Sequence, residues 1–190
     1  MNLIRVAVLL LITQTAVGTV AGADIAGVHI GGSAILADGT KLILNGAGIR
    51  RKFFANIYIG ALYLPSPAHS AADILEAPPA NRIYVHILHG KISREKLIQA
   101  WTEGFQRNHD ETSLSTLSGR ITSFNELFSS AMKGDEIVID YSPGAGTRVS
   151  INAELKGTIK GEDFNRSLLS IWLGKKPVSA TLKRQLLGNG

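Results

Sequence analysis

Two segments in which hydrophobic and polar residues alternate predict β-strands. Over residues 82–88 the side chains divide into two faces, one of which holds only Ile and Val. Residues 148–156 alternate over their whole length, and Val149, Ile151, Ala153 and Leu155 share one side. This pattern predicts a single antiparallel strand with a buried face and a polar face. Residues 136–141 predict a further strand before it.

The segment between residues 41 and 64 predicts a hairpin. Residues 41–44 are strand-like and run into Asn45-Gly46, a dipeptide typical of tight turns. Residues 49–64 then form a run of aromatic and β-branched residues, closed by Pro65 and Pro67. We therefore expect the first strand to end at Asn45 and the second to be continuous from residue 49.

Helical periodicity appears in the middle of the chain and again near its end. Ser93 is a suitable N-cap for a helix whose large hydrophobic residues recur at four-residue spacing over residues 97–105. A second apolar stripe, with steps of three and four, runs over residues 114–131, and Gly134 is its expected stop. Two shorter helices follow, one before Gly174 and one capped by Ser179. Strands and helices thus occur in separate groups, which predicts an α+β fold: an antiparallel sheet covered by a helical layer.

Composition and charge narrow the functional classes. The chain has 190 residues, of which 45% are hydrophobic, and it has no cysteine. It is too apolar to be disordered, and it cannot form disulfides, thiolate zinc sites or iron–sulfur clusters. Its net charge of +5 is mild, and most of its cations are scattered. Without a basic stripe interleaved with aromatic residues, a nucleic-acid partner is not expected.

The N-terminus has the three parts of a secretory signal. Arg5 precedes a short apolar run, residues 6–12, and the small residues Ala21-Gly22-Ala23 form an Ala-x-Ala-like cleavage site. The apolar run is well short of the roughly 20 residues of a spanning helix. We expect residues 1–23 to be a signal peptide and residues 24–190 to be one exported domain, periplasmic or secreted, with no membrane span left after cleavage. The alternative is an uncleaved N-terminal anchor.

The candidate chemistry is concentrated around one arginine. Arg50 and Tyr58 lie in the aromatic run at an even separation, so both would face the same side of a continuous strand. A guanidinium and a phenol on an apolar surface suit a carboxylate or an enolate. The alternative is that Arg50 lies on the surface and Tyr58 is only a core residue. His86 and His89 would lie on opposite faces of a strand, so no metal site is expected, and the residues call for no cofactor.

Several segments, in their order along the chain, resemble the chalcone isomerase-like family. The resemblance covers roughly residues 35–188 and implies an open-faced β-sandwich with a helical layer. The segments that carry it are Gly48-Ile-Arg-Arg-Lys52, Ile57-Tyr-Ile-Gly-Ala-Leu-Tyr-Leu64, Asp140-Tyr-Ser-Pro-Gly-Ala-Gly-Thr147, Leu168-Leu-Ser-Ile-Trp-Leu-Gly174 and Pro177-Val-Ser-Ala-Thr-Leu-Lys183.

The resemblance also implies roles for individual residues. Plant chalcone isomerases hold a developing oxyanion with an arginine, and fatty-acid-binding relatives hold a carboxylate with the corresponding arginine and a tyrosine. The arginine corresponds to Arg50, with Arg51 as the alternative, and the tyrosine corresponds to Tyr58. Three further positions that carry hydrogen-bonding side chains in the enzymes hold Ser93, Ala100 and Ile171 here.

These observations predict an exported, non-catalytic protein that binds a small apolar carboxylate such as a fatty acid through Arg50 and Tyr58. The first alternative is an isomerase, an intramolecular lyase acting on an enone-like substrate, in which Arg50 stabilises negative charge. The second is a structural or partner-binding envelope protein. Some fungal relatives are haem-associated, so haem held by His86 or His89 is a further alternative if either histidine faces the cleft.

Overall fold

A seven-stranded antiparallel sheet forms the centre of the structure, a computed structural model that describes residues 21–189. In chain order the elements are β1 (Ala23–Ile25), β2 (Val28–Ile30), β3 (Ser33–Ile35), β4 (Lys41–Lys52), β5 (Ala55–Leu64), α1 (Ala71–Glu76), β6 (Asn81–Ile87), β7 (Lys91–Ile92), α2 (Arg94–Asn108), α3 (Glu111–Glu126), β8 (Ala131–Met132), β9 (Glu136–Ser142), β10 (Gly146–Ile151), β11 (Glu154–Ile159), α4 (Glu162–Leu173) and α5 (Ala180–Leu186).

The order of the strands brings distant segments to one end of the sheet. The order is β11-β10-β9-β6-β5-β4-β3, and β1–β2 and β7–β8 form separate two-stranded pairs. Because neighbouring strands are antiparallel, β4 and β6 finish where β5 and β9 begin. We call this edge, which contains the β4–β5 turn, the hairpin end.

The helices cover one face of the sheet, which confirms the predicted α+β fold. Ile83, Val85 and Ile87 of β6 are buried against the helical layer, as their alternation predicts. Aromatic side chains from α2, α3 and α4 pack edge-to-face within the same core. On the opposite face a smaller apolar cluster forms where the β1–β2 hairpin packs on the sheet.

Part of the predicted signal peptide lies outside the described residues. The structure describes only residues 21–23 of the expected segment 1–23, and Ala23 pairs with Ile30 in the β1–β2 hairpin. No helix within residues 21–189 has the length and apolarity needed to cross a membrane. Signal cleavage therefore stays a prediction.

The expected turn at Asn45-Gly46 is wrong, because β4 continues through it. The Asn45 side chain bonds to Ala68 and to the carbonyl of Leu186, 141 residues further along the chain, so it fastens α5 to the strand. A bulge beside Gly46 interrupts the regular register there. The hairpin instead turns at Phe53-Phe54, where Lys52 pairs with Ala55.

The second helix is shorter than its apolar stripe predicts. α3 ends at Glu126, although Phe128 and Ala131 beyond it are buried in the same core. The stripe continues because Phe128 in the segment after the helix still packs on Trp101 and Phe124. Gly134, the expected stop, instead lies in the turn before β9 with a φ of 93°.

The single strand expected at residues 148–156 is in fact a hairpin. Asn152 and Ala153 form its two-residue turn with φ values of 51° and 66°, and the second strand begins at Glu154. Ile151 pairs with Glu154 and Ser150 pairs with Leu155, so the turn reverses the phase of the alternation and puts Leu155 on the face of Ser150. Ala153 and Leu155 are exposed rather than inward, and Leu155 is 48% exposed.

The caps predicted for the remaining helices are confirmed. Ser93 and Ser179 accept backbone hydrogen bonds at the starts of α2 and α5. Gly174 directly follows α4, where its N–H donates to the carbonyl of Ser170. Ser93 thus marks the start of α2, Gly174 the end of α4 and Ser179 the start of α5.

Gly46→Ala should destabilise the protein by about 1–3 kcal/mol, because the added methyl group would overlap the backbone carbonyl of Gln185 in α5. Gly119→Ala in α3 is the matched control. No atom lies within 4 Å of its added methyl group, so we expect stabilisation of up to about 1 kcal/mol. Urea unfolding of both variants measures the difference. Equal stability of the two would contradict the close packing of α5 on β4.

Candidate ligand-binding cavity

A cavity of about 390 Å³ lies between the sheet and the helical layer at the hairpin end. Its volume falls within the range of small-molecule sites in proteins. Strands β4, β5, β6 and β9 form one wall, and α2 and α4 form the other. Its apolar lining includes Val85, Ile87, Leu97, Trp101, Ile137 and Ile171.

Arg50 and Tyr58 both line this cavity, and the hairpin register is the reason. They are directly opposite each other in the β4–β5 pair, so their side chains share a face. The two side chains share a face, as predicted. They lie on two paired strands and not on one continuous strand, because the chain turns between them. Their role in binding a ligand stays a prediction.

A β-bulge next to this pair places an additional residue in the cavity wall. Arg50 pairs with Tyr58 and Arg51 pairs with Asn56, which leaves Ile57 without an opposite residue. Ile57 and Tyr58 both line the cavity although they are consecutive in sequence. In a regular strand, consecutive side chains point to opposite faces.

Tyr58 is held as a neutral phenol. Its oxygen accepts a hydrogen bond of 3.0 Å from the indole Nε1 of Trp172 in α4. Burial raises the pKa of Tyr58 to about 12, although the charge of Arg50 and the Trp172 hydrogen bond act to lower it. Since the Trp172 bond occupies the oxygen as an acceptor, the phenolic hydrogen is available for donation to a ligand.

The structure places Arg50, and not Arg51, at the cavity. Arg50 is half-buried, and its Nη1 donates to the backbone carbonyl of Arg51 at 2.9 Å. Arg51 is exposed, and its Nε donates to the side chain of Asn56 at 3.1 Å. Four of the five guanidinium N–H groups of Arg50 are not used by that backbone bond.

Additional cations surround the cavity mouth. Lys52, Lys91 and Lys96 are exposed and line it together with Arg50, and the exposed side chain of His89 lies beside them. Glu103 is the one carboxylate among the described residues that line the cavity, and it bonds to Gln99 and Arg107. The mouth therefore attracts anions. Sequence reasoning missed this ring, because its members come from β4, α2 and the segment after β6, and only the fold brings them together.

The indole of Trp101 lines the cavity, and its N–H is buried in the protein. The residue was expected to be a core residue, and it is buried. Within residues 21–189 its Nε1 has no hydrogen-bond partner. A buried N–H without a partner is costly, so this group lowers the stability of the helical layer.

The three positions compared with the enzymes provide no hydrogen-bond donor to the cavity. Ala100 and Ile171 line it with apolar side chains. Ser93 is not among its lining residues, and the Ser93 hydroxyl instead accepts the backbone N–H of Lys96 at the start of α2.

The two histidines lie on different sides of the sheet, as their spacing predicts. His86 is on the face away from the helices, beside Tyr84 and Glu136. His89 is exposed at the cavity mouth. His86 therefore offers no axial ligand to the cavity, whereas His89 lines it, and haem held by His89 stays an untested alternative. Within residues 21–189 no three His, Asp or Glu side chains are grouped to hold a metal ion.

A family model described as chalcone isomerase-like matches residues 22–188. The chain belongs to the chalcone isomerase-like family. Among solved structures, it resembles a fatty-acid binding protein of Arabidopsis thaliana with a TM-score of 0.61 and 18% identity, over 83% of this chain and 96% of that one. A comparison with curated proteins gives no match. The family resemblance and the fold it implies are thus confirmed, and at this identity the structural likeness concerns the fold alone.

For this chalcone isomerase-like protein, Tyr58→Phe should lower the free energy of unfolding at pH 7 by about 1–3 kcal/mol. The reason is that the buried N–H of Trp172 loses its acceptor. Urea unfolding at a series of pH values measures this difference.

The same pair of proteins should converge in stability at alkaline pH. Below the ordinary pKa of 10 the Tyr58 phenol is protonated in both the folded and the unfolded chain, and its contribution is complete. As the pH rises from 10 to about 12, the unfolded chain ionises first, and the wild type loses up to about 1.4 kcal/mol per pH unit through Tyr58. The other three tyrosines are present in both proteins and cancel. A constant difference from pH 7 to 12 would contradict the raised pKa.

Proposed function

We propose that this protein binds a small apolar carboxylate, such as a fatty acid, in the cavity and does not transform it. The observation that carries the proposal is the opposition of Arg50 and Tyr58 across the β4–β5 pair, at the cationic mouth of an apolar cavity. The carboxylate would accept hydrogen bonds from the guanidinium and the phenol, and the tail would lie along the aliphatic and indole side chains.

The apolar tail and the carboxylate of such a ligand contribute differently to the free energy of binding. Burial of ten methylene groups contributes roughly 8 kcal/mol before the costs of binding. The polar pair contributes less, because the carboxylate must give up water to reach it. Affinity thus comes mainly from the tail, and Arg50 and Tyr58 fix which end of the ligand lies at the mouth.

The same groups are poorly suited to acid–base catalysis. With a pKa of about 12, Tyr58 is far from the value that suits proton transfer at neutral pH. Glu103 already bonds to Gln99 and Arg107. Ala100 and Ile171 offer nothing to a developing charge. The fatty-acid binding protein of Arabidopsis thaliana, which shares the fold, supports the same ligand class.

An isomerase is the second candidate, and the observation in its favour is Arg50 itself. A guanidinium beside a neutral phenol would stabilise an enolate oxygen. This candidate requires turnover of an enone-like substrate that Arg50→Gln abolishes. A structural role with a vestigial cleft is less well supported, because the cavity is open and lined with donors.

Arg50→Gln should weaken the binding of a long-chain fatty acid by about tenfold to a hundredfold, since a charge-assisted hydrogen bond is lost. Isothermal titration of delipidated protein measures this, and native mass spectrometry of gently purified protein shows whether a carboxylate is already bound. Arg51→Gln is the matched control and should change the affinity by less than about twofold, because Arg51 lies outside the cavity. If no fatty acid binds, or if both variants bind like the wild type, the proposal fails.

We also propose that the protein is exported after cleavage between Ala23 and Asp24. Expressed in a Gram-negative host, it should be recovered from the periplasm with Asp24 as its first residue, which intact-mass spectrometry measures. Ala21→Phe replaces a small residue of the cleavage site and should leave the uncleaved chain. Recovery of full-length wild type from the cytoplasm would contradict export.

A further inference from the structure

The turn of the β4–β5 hairpin exposes two adjacent aromatic side chains. Phe53 is 90% exposed, and Phe54 is completely exposed. Phe53 also has a φ of 54°, in the left-handed region where a bulky residue is a clear outlier. Glycine or asparagine would satisfy this turn without that strain. A strained backbone that presents an apolar side chain to solvent points to a function at this position.

Met132 is a third exposed large hydrophobic residue at the hairpin end, in addition to Phe53 and Phe54. Met132, 48% exposed, is the cross-strand partner of Lys91 in the β7–β8 pair. The segment leading to β7 is joined to the hairpin, because the N–H groups of Leu88 and His89 donate to the carbonyl of Ile57 at 2.9 and 3.1 Å. We call Phe53, Phe54 and Met132 the apolar tip.

The surroundings of the apolar tip are cationic. Lys52, Lys91 and Lys133 are adjacent in sequence to its members or paired with them, and all are exposed. Two carboxylates, Asp135 and Glu136, lie nearby, fewer than the three lysines, and both accept hydrogen bonds from neutral groups. Asp135 accepts the N–H of Met132 and the amide of Asn152, and Glu136 accepts the hydroxyl of Tyr84. The net local charge is therefore positive.

The apolar tip stands beside the cavity mouth. Lys52 precedes the turn and Ile57 follows it, and both line the cavity, as does Lys91. A partner that binds the apolar tip therefore also lies next to the cavity mouth.

This composition fits a lipid surface better than a protein. A phenylalanine buries about 150–250 Å², so two at a hairpin turn offer less than the roughly 800 Å² per partner of a stable protein interface. Apolar side chains that protrude among lysines are instead typical of segments that insert between lipid headgroups. Anionic lipids attract such lysines electrostatically.

We propose that the hairpin end docks on an anionic membrane surface, with Phe53 and Phe54 inserted among the lipid chains and the lysines paired with phosphate groups. The cavity mouth then faces the bilayer, and an apolar ligand passes between the two without crossing water. Only this second step rests on the proposed function, because docking requires no ligand.

Phe54→Trp provides a local probe of docking in the full chain. Added to vesicles of equal parts phosphatidylcholine and phosphatidylglycerol, this variant should show a shift of its emission to shorter wavelength that the wild type lacks. Trp101 and Trp172 are buried and give the same background in both proteins. Because the probe is in the hairpin, contact of the N-terminal apolar segment with lipid does not produce this signal.

A flotation assay on the same vesicles tests the contribution of the aromatic pair. The double variant Phe53→Ser with Phe54→Ser should bind at least about tenfold more weakly than the wild type, since it lacks the inserting side chains. Ile35→Ser is the matched control. Ile35 is 63% exposed and pairs with Lys41 at the opposite end of the sheet, so the control should bind like the wild type. High salt, or vesicles of phosphatidylcholine alone, should weaken the binding of the wild type.

The outcomes separate docking from ligand binding. The double serine variant should still bind fatty acid in solution, since neither phenylalanine lines the cavity. An unshifted Phe54→Trp emission with normal fatty-acid binding overturns docking and leaves the proposed function intact. A shifted emission in a protein that binds no fatty acid does the reverse. If the serine substitutions instead dissociate a dimer and leave vesicle binding unchanged, the tip contacts a second copy and the docking proposal is wrong.

Discussion

The register of β4 against β5 is the constraint on which the cavity, its polar pair and the exposed turn all depend. In this register Arg50 lies opposite Tyr58, on the face that the helices cover. A slip by one residue would move a strand's side chains to the other face of the sheet. Two bulges and the attachment of Asn45 to α5 hold the register, and the same pairing determines that Phe53 and Phe54 form the turn.

A hydrogen bond joins the helical layer to the polar pair of the site. Trp172 is buried in α4, and its N–H reaches the phenol of Tyr58 on the sheet. This bond gives the phenol a fixed orientation, and burial keeps it protonated. A neutral donor beside a permanent cation is an arrangement that receives an anion without itself titrating near neutral pH.

The sequence predicted the shared face of Arg50 and Tyr58, the alternation of β6 and two helix caps, but it did not predict the turns. Alternation in β6 and the caps Ser93 and Ser179 report local preferences, and the structure follows them. Asn45-Gly46 misled because the asparagine serves a tertiary contact with Leu186 that no local pattern reveals. Asn152-Ala153 was missed because Ala153 and Leu155 continue the apolar alternation in the sequence, although the turn reverses its phase and leaves both side chains exposed. Lys91 and Lys96 could not be assigned to the mouth before the strand order was known.

The bond from Asn45 to Leu186 has a consequence for the order of folding. It joins residues 141 positions apart, and α5 packs on a strand formed near the other end of the described chain. Contacts of such high sequence separation bring no gain until nearly all of the polypeptide is available, and they slow the search for the native state. During synthesis the apolar face of β4 therefore stays uncovered until α5 has been made. In this interval chaperones that recognise uncovered strands can bind the nascent chain.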